Sequence, residues 1–353
     1  MGSAMDLEGV IEAKLIYDLD LPELDQMLRP WGEPGYRSIQ LWKGIYQSFW
    51  HLPEHFTNLP TRLIDKLFQT FSFTSLTPLK SISSKDGQTV KTLFSLADNQ
   101  AIEAVLMSYA KRRTLCISTQ VGCAMGCTFC ATGQMGFRRN LSSGEIVEQV
   151  LYYARYLAAT SQKVSNVVIM GMGEPLHNYE ETFRAIDRLN HPDGFNFGAR
   201  RFTVSTVGLV PAIRRLASEK RQVNLAVSLH AADDDLRSTM LPINKKYSLE
   251  ILFEACRDYV AKTRRRITFE WALIHKINDG PEQARLFAKR AEGLLCHVNV
   301  IPLNPTRKYS GNPSSRDRVL AFKQELENFG IPCTIRLRRG IDIQAGCGQL
   351  ATE

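Results

Sequence analysis

The chain has 353 residues, of which 44% are hydrophobic and 23% charged, a globular composition that argues against extensive disorder. It contains no run of about 18 apolar residues, and no basic segment followed by an apolar one at the N-terminus, so we expect a cytoplasmic protein without a membrane span or secretory signal. The formal net charge is +8, divided between −3 in residues 1–88 and +11 in the remainder, and this basic excess indicates a polyanionic partner.

Residues 1–88 are predicted to form a small, mostly helical domain. Apolar residues recur at helical spacing in three segments, 21–28, 39–49 and 63–71. Prolines and glycines between these segments mark the turns that separate them. A polar turn, Ser-Ser-Lys-Asp-Gly at 83–87, precedes a different pattern, so we place a second domain at 89–353.

The second domain alternates between two patterns. Apolar, β-branched runs predict strands at 114–119, 164–170, 202–205, 223–228, 267–273 and 298–301. Helical patterns follow at 143–158, 179–189, 210–216, 248–260, 282–292 and 317–328. A seventh apolar run, 331–337, leads into a glycine-rich tail. Six strand–helix units predict an α/β fold in which a parallel sheet curls into an open barrel, with its active site at the carboxyl ends of the strands.

Three closely spaced cysteines directly follow the first strand of this pattern. Cys123, Cys127 and Cys130 have the spacing CxxxCxxC, which suits three thiolates around one [4Fe–4S] cluster. Three ligands leave one iron open to chelate S-adenosylmethionine (SAM) and pass it an electron. The alternatives are a zinc site, which normally needs four ligands, and unrelated buried cysteines. Three further cysteines in apolar stretches are expected to be buried: Cys256, Cys296 and Cys333.

Polar or glycine-rich segments end four other strands. Gly173 and Glu174 lie in Met-Gly-Met-Gly-Glu-Pro, where glycine allows close approach of the backbone and a carboxylate can receive an amino group. The other strand-end residues are Ser205, Ser228, Leu229, His230 and Asn304. Each alone is explained by a helix cap or a loop hydrogen bond, but their convergence favours a shared ligand. Cys347, flanked by glycines in the tail, is either a reactive thiol or a structural one.

Several of these motifs together resemble one family. They are TLCISTQVGC at 114–123, GMGEPL at 171–176, LPINKKY at 241–247, IPLNP at 301–305 and DIQAGCGQL at 342–350. The family is the radical SAM RNA adenine-C2 methyltransferases, which act on 23S ribosomal RNA and, in some members, on transfer RNA. The resemblance covers the chain from about residue 95 to its end. It implies that 1–88 is an RNA-binding accessory domain and 89–353 a radical SAM catalytic domain with a catalytic tail.

The resemblance also implies a mechanism with two cysteines. Cys347 matches the cysteine that one SAM methylates, and a second SAM supplies a 5′-deoxyadenosyl radical that takes hydrogen from this S-methyl group. The carbon radical adds to C2 of adenine. Cys116 matches the cysteine that releases the RNA by forming a disulfide with Cys347. Glu103 matches the proposed proton acceptor, with an exposed strand charge as the alternative.

The same resemblance assigns the ligands and partners. SAM contacts fall on a set of strand-end residues: Gly173, Glu174, Ser205, Ser228, Leu229, His230 and Asn304. An electron donor such as flavodoxin or ferredoxin is expected, as is a monomer. Two other functions compete with this one. A related resistance enzyme methylates C8 rather than C2, and a non-catalytic iron–sulfur or zinc protein that binds RNA would also explain the basic charge.

Overall fold

The computed structural model describes residues 13–352. Its helices are α1 (Leu21–Leu28), α2 (Tyr36–Tyr46), α3 (Thr61–Thr70), α4 (Ala131–Met135), α5 (Ser143–Ala158), α6 (Tyr179–Asn190), α7 (Val210–Glu219), α8 (Asp234–Met240), α9 (Leu249–Thr263), α10 (Pro281–Arg290) and α11 (Arg316–Asn328). Its strands are β1 (Lys14–Leu15), β2 (Phe71–Ser72), β3 (Thr77–Ser83), β4 (Thr89–Ser95), β5 (Ala101–Ser108), β6 (Arg113–Cys116), β7 (Gln120–Gly122), β8 (Phe137–Asn140), β9 (Asn166–Ile169), β10 (Phe202–Thr206), β11 (Asn224–Ser228), β12 (Ile267–Leu273), β13 (Cys296–Pro302) and β14 (Cys333–Ile335).

The three helices predicted near the N-terminus are confirmed as α1, α2 and α3. Helix α1 begins at a capping box, in which the Asp20 side chain accepts from the Glu23 amide while Glu23 accepts from the Asp20 amide. Buried Leu24, Trp42 and Leu67 contribute one residue each from the three helices to the core. The helical part ends at Thr70, and strand β3, which lies before the proposed boundary at 88/89, already belongs to the main sheet.

The main sheet has ten strands in the order β14-β13-β12-β11-β10-β9-β6-β5-β4-β3. Strands β6 and β9 to β14 are mutually parallel, which confirms the predicted α/β architecture, and the order runs from one open edge to the other. The antiparallel strands β3, β4 and β5 extend this sheet and were not predicted. Strand β3 lies at an exposed edge of the sheet and contains Pro78. An exposed edge strand needs no alternating apolar residues, so nothing in the sequence marks it as a strand.

One row of residues crosses four neighbouring strands. Lys91 of β4 pairs with Val105 of β5, Val105 pairs with Cys116 of β6, and Cys116 pairs with Val168 of β9. Residues directly opposite each other on adjacent strands share a face of the sheet. Because side chains two positions apart also share a face, Glu103 lies on the same face as this row.

Helix α5 packs on the sheet through an almost completely buried first half, and it begins at the predicted capping box. Ser142 accepts from the Glu145 amide, while Glu145 accepts from the Ser142 amide. The three cysteines expected in the core, Cys256, Cys296 and Cys333, are buried. In residues 13–352 no helix is both long and apolar enough to cross a membrane.

Candidate active site

A cavity opens at the carboxyl ends of the parallel strands. It brings together most of the site residues predicted from sequence: Cys123, Cys127, Cys130, Gly173, Glu174, Ser205, Ser228, His230, Asn304 and Cys347. Leu229 is completely buried beside the cavity, and its amide donates to the Glu270 carbonyl at 3.0 Å.

The loop that carries the three clustered cysteines lies at one wall of this cavity. Cys127 and Phe129 pack in a small apolar cluster with residues of three other loops, and the Thr128 amide donates to the Met240 carbonyl at 3.0 Å. Burial raises the pKa of all three thiols, that of Cys123 to about 12, and the neighbouring thiols raise the pKa of Cys127 further. Three thiolates therefore need a nearby positive charge, such as that of bound iron.

The donor set fits an iron–sulfur cluster better than a single ion. Tetrahedral structural zinc normally takes four protein ligands, whereas this loop offers three thiols. Three converging thiols and a cavity beyond them match the needs of a cubane with one open coordination site.

Arg237, on α8, is a buried cation beside this loop that sequence reasoning missed. Its guanidinium donates to the carbonyls of Leu229, Val207 and Ser228 and to Oδ1 of Asn244, at 2.7–3.2 Å. Burial lowers the pKa of Arg237 to about 10, so that the side chain stays charged at neutral pH. It ties together the loops after two strands, and its charge lowers the pKa of Cys127 against the effect of burial.

Glu174 is held rigidly at the end of β9. Its carboxylate accepts from the amides of Leu176 at 3.0 Å and Val207 at 2.9 Å, while burial raises its pKa to about 7. Gly173 before it has φ +104°, and a Cβ there would lie 2.6 Å from Cβ of Gln120, so the position requires glycine. A buried carboxylate facing the cavity is suited to a ligand ammonium group, whose charge would keep it ionised.

Two further polar side chains of the cavity, His230 and Asn304, have hydrogen-bonding atoms that could bind a ligand. His230, at φ 62°, accepts from the Ala272 amide through Nδ1 at 2.9 Å, which leaves the proton on Nε2. Burial and Arg237 lower the pKa of His230 to about 3, so the ring is neutral. Asn304 donates to the Cys347 carbonyl at 3.1 Å, while its buried Oδ1 has no partner in the structure. An orphaned buried acceptor indicates that a ligand donor completes this wall.

The tail places Cys347 between two cavities. Cys347 lines the main cavity and also a smaller adjoining one that is lined by Cys116, Met170 and Arg336. Cys347 is accessible to solvent, yet the surrounding protein raises the pKa of its thiol, an effect that the Arg336 charge opposes. Burial raises the pKa of Cys116 to about 12, and Cys347 is close enough to raise it further. The two cysteines therefore face one shared space.

Glu103 lies outside both cavities, beneath the tail. Only 4% of its surface is exposed, so the alternative of an exposed strand charge is wrong. Its carboxylate forms an ion pair with Lys91 at 2.7 Å and accepts from the Ala351 amide at 2.9 Å. Burial raises the pKa of Glu103, while Lys91 lowers it. Arg336, which lines the smaller cavity, pairs with Glu270 at 3.2 Å.

Comparison with known proteins gives consistent results. Residues 117–288 match the model of the radical SAM superfamily. The chain is 46% identical over 352 residues to the probable dual-specificity RNA methyltransferase RlmN of Chloroflexus aurantiacus, covering 97% of this chain and 93% of that protein. It is 48% identical over 335 residues to dual-specificity RNA methyltransferase RlmN 1 of Myxococcus xanthus, covering 95% and 93%. A crystal structure of a radical SAM methyltransferase from Sphaerobacter thermophilus is 49% identical, with a TM-score of 0.94 over 96% of this chain and 100% of that one.

Proposed function

This chain belongs to the radical SAM family of dual-specificity RNA methyltransferases, and from that premise we propose that it methylates C2 of an adenosine in 23S ribosomal RNA and in transfer RNA. The chain is thus a radical SAM RNA methyltransferase, and the alternative of a non-catalytic RNA-binding protein is wrong. Two RNA classes are proposed because the relatives are named for dual specificity.

We assign separate tasks to the residues of the cavity. Cys123, Cys127 and Cys130 would hold a [4Fe–4S] cluster, which when bound supplies the electron that cleaves SAM to methionine and a 5′-deoxyadenosyl radical. Glu174, fixed by two amides, would bind the SAM ammonium group. The orphaned Oδ1 of Asn304 would accept a hydrogen bond from the ligand. The proposed SAM contacts also include Gly173, Ser205, Ser228, Leu229 and His230, which lie on or directly behind the same walls.

Cys347 would act as the methyl carrier. Its thiol loses a proton, and the thiolate sulfur takes the methyl group of one SAM, so that S-adenosylhomocysteine leaves. Loss of a hydrogen atom from this S-methyl group to the 5′-deoxyadenosyl radical, formed from a second SAM, leaves a carbon radical that adds to C2 of adenine. This route is needed because the C2 carbon is not nucleophilic and cannot attack SAM directly.

Cys116 would then release the product. The adduct radical would return one electron to the oxidised cluster, which the three clustered cysteines would hold, and would pass its C2 proton to Glu103. The Cys116 thiolate next attacks the sulfur of Cys347, so that a disulfide forms, the bond from sulfur to the methylene carbon breaks, and protonation of that carbon completes the methyl group. The position of Cys347, lining both the main cavity and the space that contains Cys116, is the single observation that carries this proposal.

The test uses Cys116→Ala, with Cys256→Ala as a control that removes a buried cysteine elsewhere in the core. We expect Cys116→Ala to keep its iron–sulfur absorbance, to cleave SAM and to accumulate RNA covalently bound through Cys347, because the thiolate that releases it is missing. A denaturing gel before and after nuclease detects this adduct. Normal turnover of Cys116→Ala without an RNA-shifted band would contradict the release role.

Product analysis separates the remaining alternatives. Digested 23S ribosomal RNA and transfer RNA from reactions with the wild-type enzyme are resolved into 2-methyl- and 8-methyladenosine by mass spectrometry. We expect 2-methyladenosine in both RNAs. Finding 8-methyladenosine would assign the chain to the resistance type, and finding the product in one RNA alone would remove the second substrate. Running these reactions with flavodoxin or ferredoxin in place of a chemical reductant tests the proposed donor.

A further inference from the structure

Two buried, oppositely charged residues lie under the tail rather than in the cavity. Lys91 of β4 and Glu103 of β5 are diagonal neighbours on one face of the sheet, because Lys91 pairs with Val105 and Glu103 with Leu93. Nζ of Lys91 is 2.7 Å from Oε1 of Glu103, and the two side chains are only 11% and 5% exposed. Cys116 lies on the same row of the sheet as Lys91, so the pair is near the proposed chemistry.

Each member of this pair makes a second contact, and both contacts go to the loop that carries Cys347. Nζ of Lys91 donates to the carbonyl of Gln344 at 3.3 Å, three residues before Cys347. Oε2 of Glu103 accepts from the amide of Ala351 at 2.9 Å, four residues after it. One ion pair therefore binds both ends of the segment 344–351.

This segment also contacts two other parts of the chain. In the loop after β13, Asn304 donates to the Cys347 carbonyl at 3.1 Å, and Nε2 of Gln349 donates to the Pro305 carbonyl at 2.8 Å. The Ala131 amide donates to the Gly348 carbonyl at 2.8 Å, and Oγ1 of Thr132 donates to the Leu350 carbonyl at 2.7 Å. Both donors belong to α4, which directly follows the last clustered cysteine. The Cys347 loop is thus held by α4, by the loop after β13 and by the Lys91–Glu103 pair, and the ion pair contacts both ends of the segment.

We propose that Lys91 is a positioning residue for Cys347, and that it forms with Glu103 a clasp that fixes the segment 344–351 and holds the thiol between the two cavities. The functional consequence rests on the proposed role of Cys347 as methyl carrier. A buried ion pair stabilises a structure only if its remaining hydrogen-bonding capacity is also used, and here the backbone of the tail uses it. Removing Lys91 leaves Glu103 as an unpaired buried carboxylate, which is more stable when it is exposed to solvent. Exposing this carboxylate would loosen the loop that carries Cys347.

The experiment compares full-length Lys91→Met with Lys91→Arg, which keeps the charge, and with Lys80→Met, which removes an exposed lysine from the neighbouring strand β3. Hydrogen exchange of the segment 344–351 and the rate of Cys347 alkylation by iodoacetamide are measured first, without SAM or RNA. We expect both to rise at least tenfold in Lys91→Met, to rise less than threefold in Lys91→Arg and to stay unchanged in Lys80→Met. Unchanged exchange and alkylation in Lys91→Met would overturn the clasp.

A second measurement connects the clasp to chemistry. Single-turnover methylation of Cys347 by SAM should slow about tenfold in Lys91→Met, because the thiol spends less time in place, while the KM for SAM stays unchanged. Equal methylation rates in Lys91→Met and the wild type would refute the positioning role. If Cys347 of the wild type accepts no methyl group, the proposed function fails, while the exchange result still decides whether the clasp exists.

Another variant covers the case in which Lys91→Met does not fold. Ala351→Pro removes the amide N–H that donates a hydrogen bond to Glu103 but leaves both charges in place. We expect faster exchange at the C-terminal half of the segment and faster alkylation of Cys347. If Ala351→Pro leaves both rates at the wild-type value, Glu103 does not hold the loop and the proposal is wrong.

Discussion

Replacement of Arg237 by methionine tests whether one buried cation organises the strand-end loops of the site. The wild-type guanidinium makes four hydrogen bonds, to the carbonyls of Leu229, Val207 and Ser228 and to the side chain of Asn244. Methionine fills much of the volume but donates none of these bonds. At about 1 kcal/mol for each acceptor left unsatisfied in the interior, the free energy of unfolding should fall by roughly 4 kcal/mol.

The assay is urea unfolding followed by circular dichroism, with the binding of SAM measured on the reconstituted enzyme. The control is Arg285→Met, which removes an exposed arginine whose ion pair with Glu325 spans 3.0 Å. Such a surface pair contributes about 0–1 kcal/mol, so this variant should unfold near the wild-type midpoint. We also expect weaker SAM binding in Arg237→Met, because the backbone of Ser228 and Leu229 loses its support.

If Arg237→Met loses no more stability than Arg285→Met and binds SAM with wild-type affinity, the four acceptors have found other partners. Arg237 then does not organise the loops. A loss of stability with unchanged SAM affinity would limit its role to the core.

Two further predictions concern individual cysteines. Cys127→Ala should lose both the brown iron–sulfur absorbance and SAM cleavage, because two thiolates do not hold a cubane cluster; retention of SAM cleavage at the normal rate would remove Cys127 from the ligand set. Because the protein environment raises the pKa of Cys347, its alkylation by iodoacetamide should accelerate as pH rises from 7 through 9 and beyond, as more thiolate forms. Since Arg336 lowers the pKa of Cys347, Arg336→Met should shift the increase in alkylation rate to higher pH. Alkylation at each pH is followed by mass analysis of the peptide that contains Cys347. If the pH dependence is the same in Arg336→Met and the wild type, the Arg336 charge does not act on the thiol.

The sequence by itself determined the parallel sheet and the location of the site. Strand–helix alternation is a local pattern, repeated six times, so the six predicted strands and six predicted helices match the structure with errors of a few residues at their ends, whereas the short elements β7, α4, β8 and α8 were not predicted. The CxxxCxxC loop and the strand-end motifs are also contiguous in sequence. Because carboxyl ends of parallel strands meet at one edge, their convergence on a single cavity followed from topology.

Only the tertiary structure decided which charged residues are buried and what they hold. Arg237 lies in an ordinary polar helix sequence, and its acceptors include the Val207 carbonyl, 30 positions away. Glu103 and Ala351 are 248 positions apart, and nothing near either residue in sequence indicates the hydrogen bond between them. A charge is stable in the interior only when its partners are assembled around it, and those partners come from distant segments. The periodicity of a sequence records which positions face the core, but folding determines which partners a buried charge finds there.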